Sequence, residues 1–376
     1  MRILINGLAV FRGGSKTYFL NIIPHLGRLA EQHEFVLLHS HWQEMLNFVL
    51  PPNFTRIVVG PKRRSVPLRV LWEQTRLPGL LRRERIDVMF SPVPSTTLFS
   101  PCPTVIAVRD LNVFSTLSLK DWRYLARNWT LRALTRQVAK RASFLIFVSE
   151  YSRDAALGML GVDPGKAVVI YHGTGAQFFE PAKRPPSELF SGPRPYLLTV
   201  STVQTHKNYP RMIEAFARLC HNPDLGYDYV FAGADSSQAE FQRVQQRINQ
   251  LNLKGRVHYL GQVPYQDLPA LYQGASLFVL PSLLETFGHP LVEAMASGIP
   301  IVASNVTCMP EVCEDAAVYF NPYEVDDMVN VLRLVLEDNA LRERLVAAGR
   351  QRVKNCSWTT TARQLVDLIE AATNED

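Results

Sequence analysis

Residues 277–300 read LFVLPSLLETFGHPLVEAMASGIP, and this stretch decides the fold. The four apolar residues 277–280 have the length of a fully buried strand. A loop follows, and Pro290 then opens a helix at a position where its missing N–H costs nothing. Gly288 lets the backbone approach a ligand closely. The N–H groups left over at the start of the helix make an anion site suited to phosphate. Glu293 is read in the first turn of that helix, where a carboxylate accepts from both vicinal hydroxyls of a ribose, and Glu285 lies on the loop before it. A capped helix with two solvated glutamates is the plainer reading. A buried strand leading through Gly and Pro into a helix favours the ligand site.

Working outward, short apolar runs alternate with stretches of helical period along the chain, the pattern of βαβ units and parallel sheets. Strands are expected at 3–6, 35–38, 88–90, 104–108, 144–148 and 168–171, with helices over 15–30 and 119–142. Five prolines between 180 and 195 suit an extended linker and exclude helix there. Beyond it, strands are expected at 196–200, 229–232, 257–260, 277–280 and 301–303. The organisation read is α/β, with two Rossmann-like doubly wound domains. The first spans 1–178, a linker 179–195 and the second 196–356, while a C-terminal helix, 357–376, is placed to cross back to the first domain. In such sheets ligands bind beyond the carboxyl ends of the strands, so the cleft between the domains is the expected site.

Several chemistries are excluded by their missing patterns. Ser15 separates Gly14 from Lys16, so Gly13-Gly14-Ser15-Lys16-Thr17 is no Walker loop. No GxGxxG follows the first strand, and no Asp-x-Asp occurs to grip a diphosphate through a metal. The five cysteines form no CxxC, and His172, His258 and His289 match no zinc spacing, so no metal is expected. No run of residues suits a signal peptide or a membrane-spanning helix, which makes the cytoplasm the expected compartment.

Charge adds a second clue. The 376 residues are 47% apolar and 20% charged, with a net charge of +6. Residues 1–180 hold 23 basic and 12 acidic side chains, whereas 181–376 hold 17 and 22. One half therefore faces something anionic. Two Rossmann-like domains without a helix-turn-helix make nucleic acid a poor partner. The basic stretches 62–85 and 119–141 point instead to an anionic membrane, with the protein peripheral on its inner face. Trp72-Glu73-Gln74 and residues 122–129 are read as acceptor or membrane surface, or as core packing with a solvated face.

Glu285-x7-Glu293 within ETFGHPLVEAMASGIPIVAS resembles the signature of the retaining GT-B glycosyltransferases of group 1, family 4. Gly13-Gly14 resembles that family's N-terminal glycine loop, and VSEYSR (148–153) and IYHGTGAQFF (170–179) resemble the end of its first domain. VSTVQTHKN (200–208) resembles its phosphate loop, and YLGQVPYQDLPALYQGASLFVLPS (259–282) its approach to the glutamate pair. The resemblance implies a nucleotide diphosphate sugar as donor, a glycan or lipid-linked acceptor, and neither cofactor nor metal.

The same resemblance assigns roles. Lys207 would contact the donor diphosphate, with Gly14 offering its N–H to the same phosphates or serving only as a turn. Glu293 would hold the ribose, and Glu285 would lie near the transferred sugar. Amides around Phe287, Gly288 and His289 would meet sugar hydroxyls, those of Leu291 and Val292 phosphate or ribose, and that of Val263 the base. Two departures stand out. Arg109-Asp110 occupies the place of the family's His-Asp pair, and an always-charged guanidinium is no base. Arg109 is then either a clamp for a phosphate or carboxylate or a structural partner of Asp110. Thr202 and His206 stand where many members carry an Arg. The implied activity is sugar transfer with retention in cell-envelope glycan, O-antigen or glycolipid synthesis. A GT-B-fold epimerase or phosphorylase, or a nucleotide-sugar-binding protein with lost catalysis, are the alternatives.

Overall fold

The computed structural model describes all residues except 11–13, 44–45, 47, 61–64, 95, 110–121, 223–224 and 375–376. Side chains of 14–16 and 122–131 are likewise left undescribed. The chain divides into two compact units, Met1–His172 with Trp358–Asp376, and Gly173–Ser357. The sequence reading put the first boundary after 178; the structure puts it after His172.

The first unit is built on a parallel sheet of β1 (Arg2–Asn6), β2 (Glu34–Ser40), β3 (Phe54–Val59), β4 (Val88–Ser91), β5 (Thr104–Val108), β6 (Phe144–Phe147) and β7 (Ala167–Val169). The order is β3-β2-β1-β4-β5-β6-β7. One face is covered by helices Gly14–Leu29 and Trp358–Asn374 through Phe19, Ile22, Ile23, Leu365 and Ile369, all buried. Each such side chain contributes roughly 1.5–3 kcal/mol. Trp358–Asn374 is thus part of the first unit's core, tied further by His33 Nε2 to Glu370 Oε1 at 2.6 Å.

The strand β3 is absent from the sequence reading. It is the sheet edge, with Thr55, Arg56 and Val58 exposed, so it shows no continuous apolar run. The helix expected over 119–142 is Trp122–Arg141 among the described residues.

At the carboxyl ends of β1 and β4, where the strand order reverses, the first unit is closed by its own polar groups. Asn6 Nδ2 donates to Glu73 Oε1 at 3.1 Å and to Thr96 Oγ1 at 3.2 Å. Glu73 comes from helix Val66–Thr75 and is fully buried. Arg69 approaches its second oxygen at 3.7 Å. Burial pushes the Glu73 carboxyl up to about 7, against the pull of Arg69 and Asn6.

The second unit repeats the plan with β8 (Tyr196–Val200), β9 (Asp228–Ala232), β10 (Val257–Tyr259), β11 (Leu277–Leu280), β12 (Ile301–Ser304) and β13 (Ala317–Phe320), ordered β10-β9-β8-β11-β12-β13 and parallel throughout. Its central strands are buried on both faces, which is why they read as unbroken apolar runs. The strand β13 is also absent from the sequence reading; it lies at the sheet edge, half-exposed at Val318 and Tyr319.

The proline-rich stretch belongs to this unit and is strapped to it. Ala182 N donates to Gln273 Oε1 at 2.9 Å, Arg184 reaches Asp267 at 3.4 Å, and the Phe190 ring packs on Tyr196 and His258. Helix was excluded there, yet Pro186–Glu188 forms one 3₁₀ turn, because a proline opens such a turn without needing its N–H.

Candidate functional site

The strand order of the second sheet reverses between β9-β8 and β11, and the loops leaving β8 and β11 carry the sequence-derived candidates. Pairing of Leu277 with Leu197 and of Phe278 with Leu198 sets the two loops side by side. The backbone joins them, with Leu283 N donating to the His206 carbonyl at 2.7 Å. Lys207 ends a 3₁₀ turn, Thr205–Lys207. Asn208 follows in the left-handed region at φ 59° and donates from its buried amide to the Pro322 carbonyl at 2.9 Å, fixing the turn before helix Tyr209–Leu219 begins.

Lys207 Nζ meets Glu285 Oε1 at 2.5 Å. Ser282 Oγ donates to the same oxygen at 2.8 Å, and Glu285 N donates to Thr307 Oγ1 at 3.3 Å. The two charged side chains are only 13% and 12% exposed, so each shields the other in a partly dry setting. Removing one partner would strand its mate, a loss of about 3–5 kcal/mol for a fully buried pair and less at this exposure. The residues expected to act on leaving phosphate and transferred sugar therefore form one ion pair.

Helix His289–Ser297 starts at Gly288, whose φ is 76°. A Cβ there would sit 2.9 Å from Leu291 Cδ1, so both backbone and space call for glycine. Phe287, Leu291 and Val292 are buried, and the Phe287 ring meets His289 edge-on at 5.3 Å. The Leu291 amide, expected to face phosphate or ribose, already donates to the Gly288 carbonyl at 2.9 Å, since the turn at Gly288 folds the carbonyl back over the helix start.

Glu293 lies in the second turn rather than the first, because the helix begins at His289. It is 5% exposed, and Tyr272 Oη donates to its Oε2 at 2.9 Å. The Tyr265 hydroxyl bonds the same carboxyl. Burial outweighs both bonds and pushes the Glu293 carboxyl up to about 8, so it holds its proton at neutral pH.

Thr202 follows β8 and His206 lies in the 3₁₀ turn with Lys207; Val263 lies, half-buried, after β10. The remaining candidates belong to the first unit. Gly14 starts helix Gly14–Leu29, and Gly13 and Asp110 lie outside the described residues. Arg109 follows β5; its Nε donates to the Pro92 carbonyl at 2.9 Å and its guanidinium lies 4.3 Å from the Tyr18 ring centre. Sequence reasoning missed Ser282, Thr307, Tyr265 and Tyr272. Tyr272 carried one readable signal: a hydroxyl on a helix as apolar as LPALYQG must find a buried partner. Among the described residues no group of His, Cys, Asp or Glu is arranged to hold a metal, and no helix is long and apolar enough to cross a membrane.

Two family profiles match the chain, "Glycosyltransferase Family 4" over residues 12–177 and "Glycosyl transferases group 1" over 182–352. O-antigen chain mannosyltransferase B of Escherichia coli is 33% identical over 175 residues, covering 46% of this chain and 45% of that protein. The chain spans less than two thirds of the length of the curated relatives it matches. Among solved structures, the sucrose-phosphate synthase of Thermosynechococcus elongatus superposes over 100% of both chains with a TM-score of 0.81 at 19% identity. Anabaena HepE, solved in complex with UDP-glucose, superposes over 99% of this chain and 100% of its own with a TM-score of 0.78 at 18% identity. Both likenesses establish the GT-B fold.

Proposed function

Because the chain belongs to the group 1, family 4 glycosyltransferases, we propose that it moves a hexose from a nucleotide diphosphate sugar to a glycan or lipid-linked acceptor of the cell envelope, with retention of the anomeric configuration. The observation that carries this reading is the Lys207–Glu285 pair above the β8–β11 switch point, with the buried Glu293 carboxyl on the helix that follows. Lys207 supplies a cation to the departing diphosphate, and Glu293 supplies hydrogen bonds to the ribose hydroxyls. Such fixed charge, aimed where negative charge develops, is worth about 10²–10³ in rate for one donor group. Glu285 holds Lys207 in place and offers its free lone pairs to a sugar hydroxyl. Retention in this scheme comes from attack on the face the diphosphate leaves, the leaving phosphate taking the acceptor proton. No protein base is required, which suits an arginine at position 109.

The name of the Escherichia coli relative makes mannose the first sugar to test and O-antigen the first acceptor class. A thermal-shift screen of nucleotide sugars is the direct test, since a ligand of the native state raises its melting point. The donor that shifts the protein should also turn over in EDTA, with product of the donor's anomeric configuration by NMR. Inverted product would refute retention, and activity abolished by EDTA would refute metal independence.

The acceptor side is proposed to be a membrane surface. On the first unit, Val66, Leu68 and Leu71 of helix Val66–Thr75 are exposed, as are Arg76, Arg82 and Arg83 beside them. Exposed apolar side chains on a helix that is followed in the chain by exposed arginines suit an anionic bilayer. The protein should cosediment with anionic liposomes but not neutral ones, and lose that binding at high salt. Equal partitioning to both would refute the membrane assignment.

A further inference from the structure

The Glu293 carboxyl is held from the side opposite its own helix by three aromatic residues that no part of the reaction uses. Tyr272 is fully buried on helix Leu268–Gly274, and its ring is fixed between Phe278 of β11 at 5.4 Å and Phe178 at 5.7 Å. Phe178 is itself fully buried, at the end of the 3₁₀ turn Ala176–Phe178, and meets the Tyr265 ring edge-on at 5.4 Å. Besides Glu293, the Tyr265 hydroxyl bonds the Gln177 side chain and the Gly175 backbone. Two hydroxyls thus converge on one carboxyl, and a ring wedged between their own rings stops either from turning away.

A carboxyl group has more lone-pair directions than two hydroxyls consume. Fixing two of them fixes where the others point. Packing alone needs no such arrangement, because burying a carboxyl at this position works against stability unless its bonds are made. From this geometry we propose that Tyr265 and Tyr272, braced by Phe178, are positioning residues that aim the Glu293 carboxyl at the ribose hydroxyls and so set the preference for a ribonucleotide donor. The proposal rests on the assignment of Glu293 to the ribose.

The test compares UDP, GDP and ADP, each against its 2′-deoxy counterpart, by titration calorimetry on the full chain. The wild-type protein should bind its preferred ribonucleotide about tenfold more tightly than the deoxy form, the size of one well-made hydrogen bond to a charged or polar group. Tyr272→Phe and Tyr265→Phe keep the rings and remove one hydroxyl each. Each should lower that ratio to about threefold, and the double variant should bring it near one, with affinity for the 2′-deoxy form, which keeps its 3′-hydroxyl, falling by a smaller factor than affinity for the ribonucleotide. A structural role would weaken both forms together. Parallel losses, or an unaltered ratio in both single variants, overturn the positioning role. Equal binding of both forms by the wild-type protein, or no binding of any of the three pairs, overturns the ribose assignment beneath it and the proposal with it.

Discussion

The two sheets reverse their strand order at the same place, β2-β1-β4 in one and β9-β8-β11 in the other, yet the two switch points are furnished in opposite ways. In the first unit Asn6, Glu73 and Thr96 are all buried, with Asn6 donating to both of the others, and Gln74 spans the Thr96 carbonyl and the Leu98 amide at 2.9 Å each. In the second, the charged pair Lys207–Glu285 keeps a share of solvent, and the buried Glu293 is held by tyrosines. Topology leaves a gap at the carboxyl ends of the strands in both cases. A buried network of amide, hydroxyl and the Glu73 carboxyl, with Arg69 at its edge, fills the first gap and stabilises it, whereas a partly exposed ion pair leaves the second able to exchange partners with a ligand.

The sharpest way to break this contrast is through rate. Lys207→Ala should lower turnover of the donor about 10²–10³-fold, whereas Asn6→Ala should leave turnover within about threefold. Similar losses in both variants, measured as kcat/KM on the same donor, would show that the first switch point also serves chemistry.

Stability should report the reverse. Asn6→Ala strips a buried carboxyl and a buried hydroxyl of their partner, at about 1–3 kcal/mol. Chemical denaturation should place that loss in the unfolding of the first unit, with nucleotide affinity of the second unaltered. Loss of nucleotide affinity together with stability would contradict the division of labour.

Gly288→Ala should cost about 1–2 kcal/mol for the left-handed backbone alone, plus the clash with Leu291. It should also weaken nucleotide binding, because it displaces the start of the helix that carries Glu293. A variant as stable and as tight-binding as wild type would remove Gly288 from the site.

A last comparison separates the two buried acids by pH. Both carboxyls lie above their usual 4.5 in the folded protein, Glu73 at about 7 and Glu293 at about 8. The folded state therefore keeps protons that the unfolded chain has released, so the stability tied to each is complete below about pH 4.5 and declines as pH rises. The decline should end near pH 7 for Glu73 and near pH 8 for Glu293. Glu73→Gln and Glu293→Gln should each flatten its own part of the curve of unfolding free energy against pH. An unchanged slope in either variant would show that its carboxyl titrates alike in both states.

What could be read from the chain followed burial. Strands β1, β4, β5, β8, β9 and β11 announced themselves because both faces are covered, which selects unbroken apolar runs. Edge strand β3 did not, since half of its residues are exposed and break its apolar run, although the edge strands β7 and β10 were legible. In the candidate site, Gly288, Glu285 and Glu293 stood out in a strand–loop–helix rich in Gly and Pro, and Lys207 through its place in a segment resembling the family's phosphate loop. Tyr265, Tyr272, Ser282 and Thr307 were not legible, for a hydroxyl in a βα unit has many structural uses. The Lys207–Glu285 bond spans 78 residues and the Asn6–Glu73 bond 67.

By itself, then, the sequence determined the class of fold, two parallel α/β sheets, and the short stretches that line the second switch point, because period and local backbone chemistry are properties of neighbours in the chain. Only the tertiary structure decided which charges meet and which carboxyls lose their water. Those depend on desolvation and on contacts at a few ångströms, and both are settled by strand order rather than by distance along the sequence.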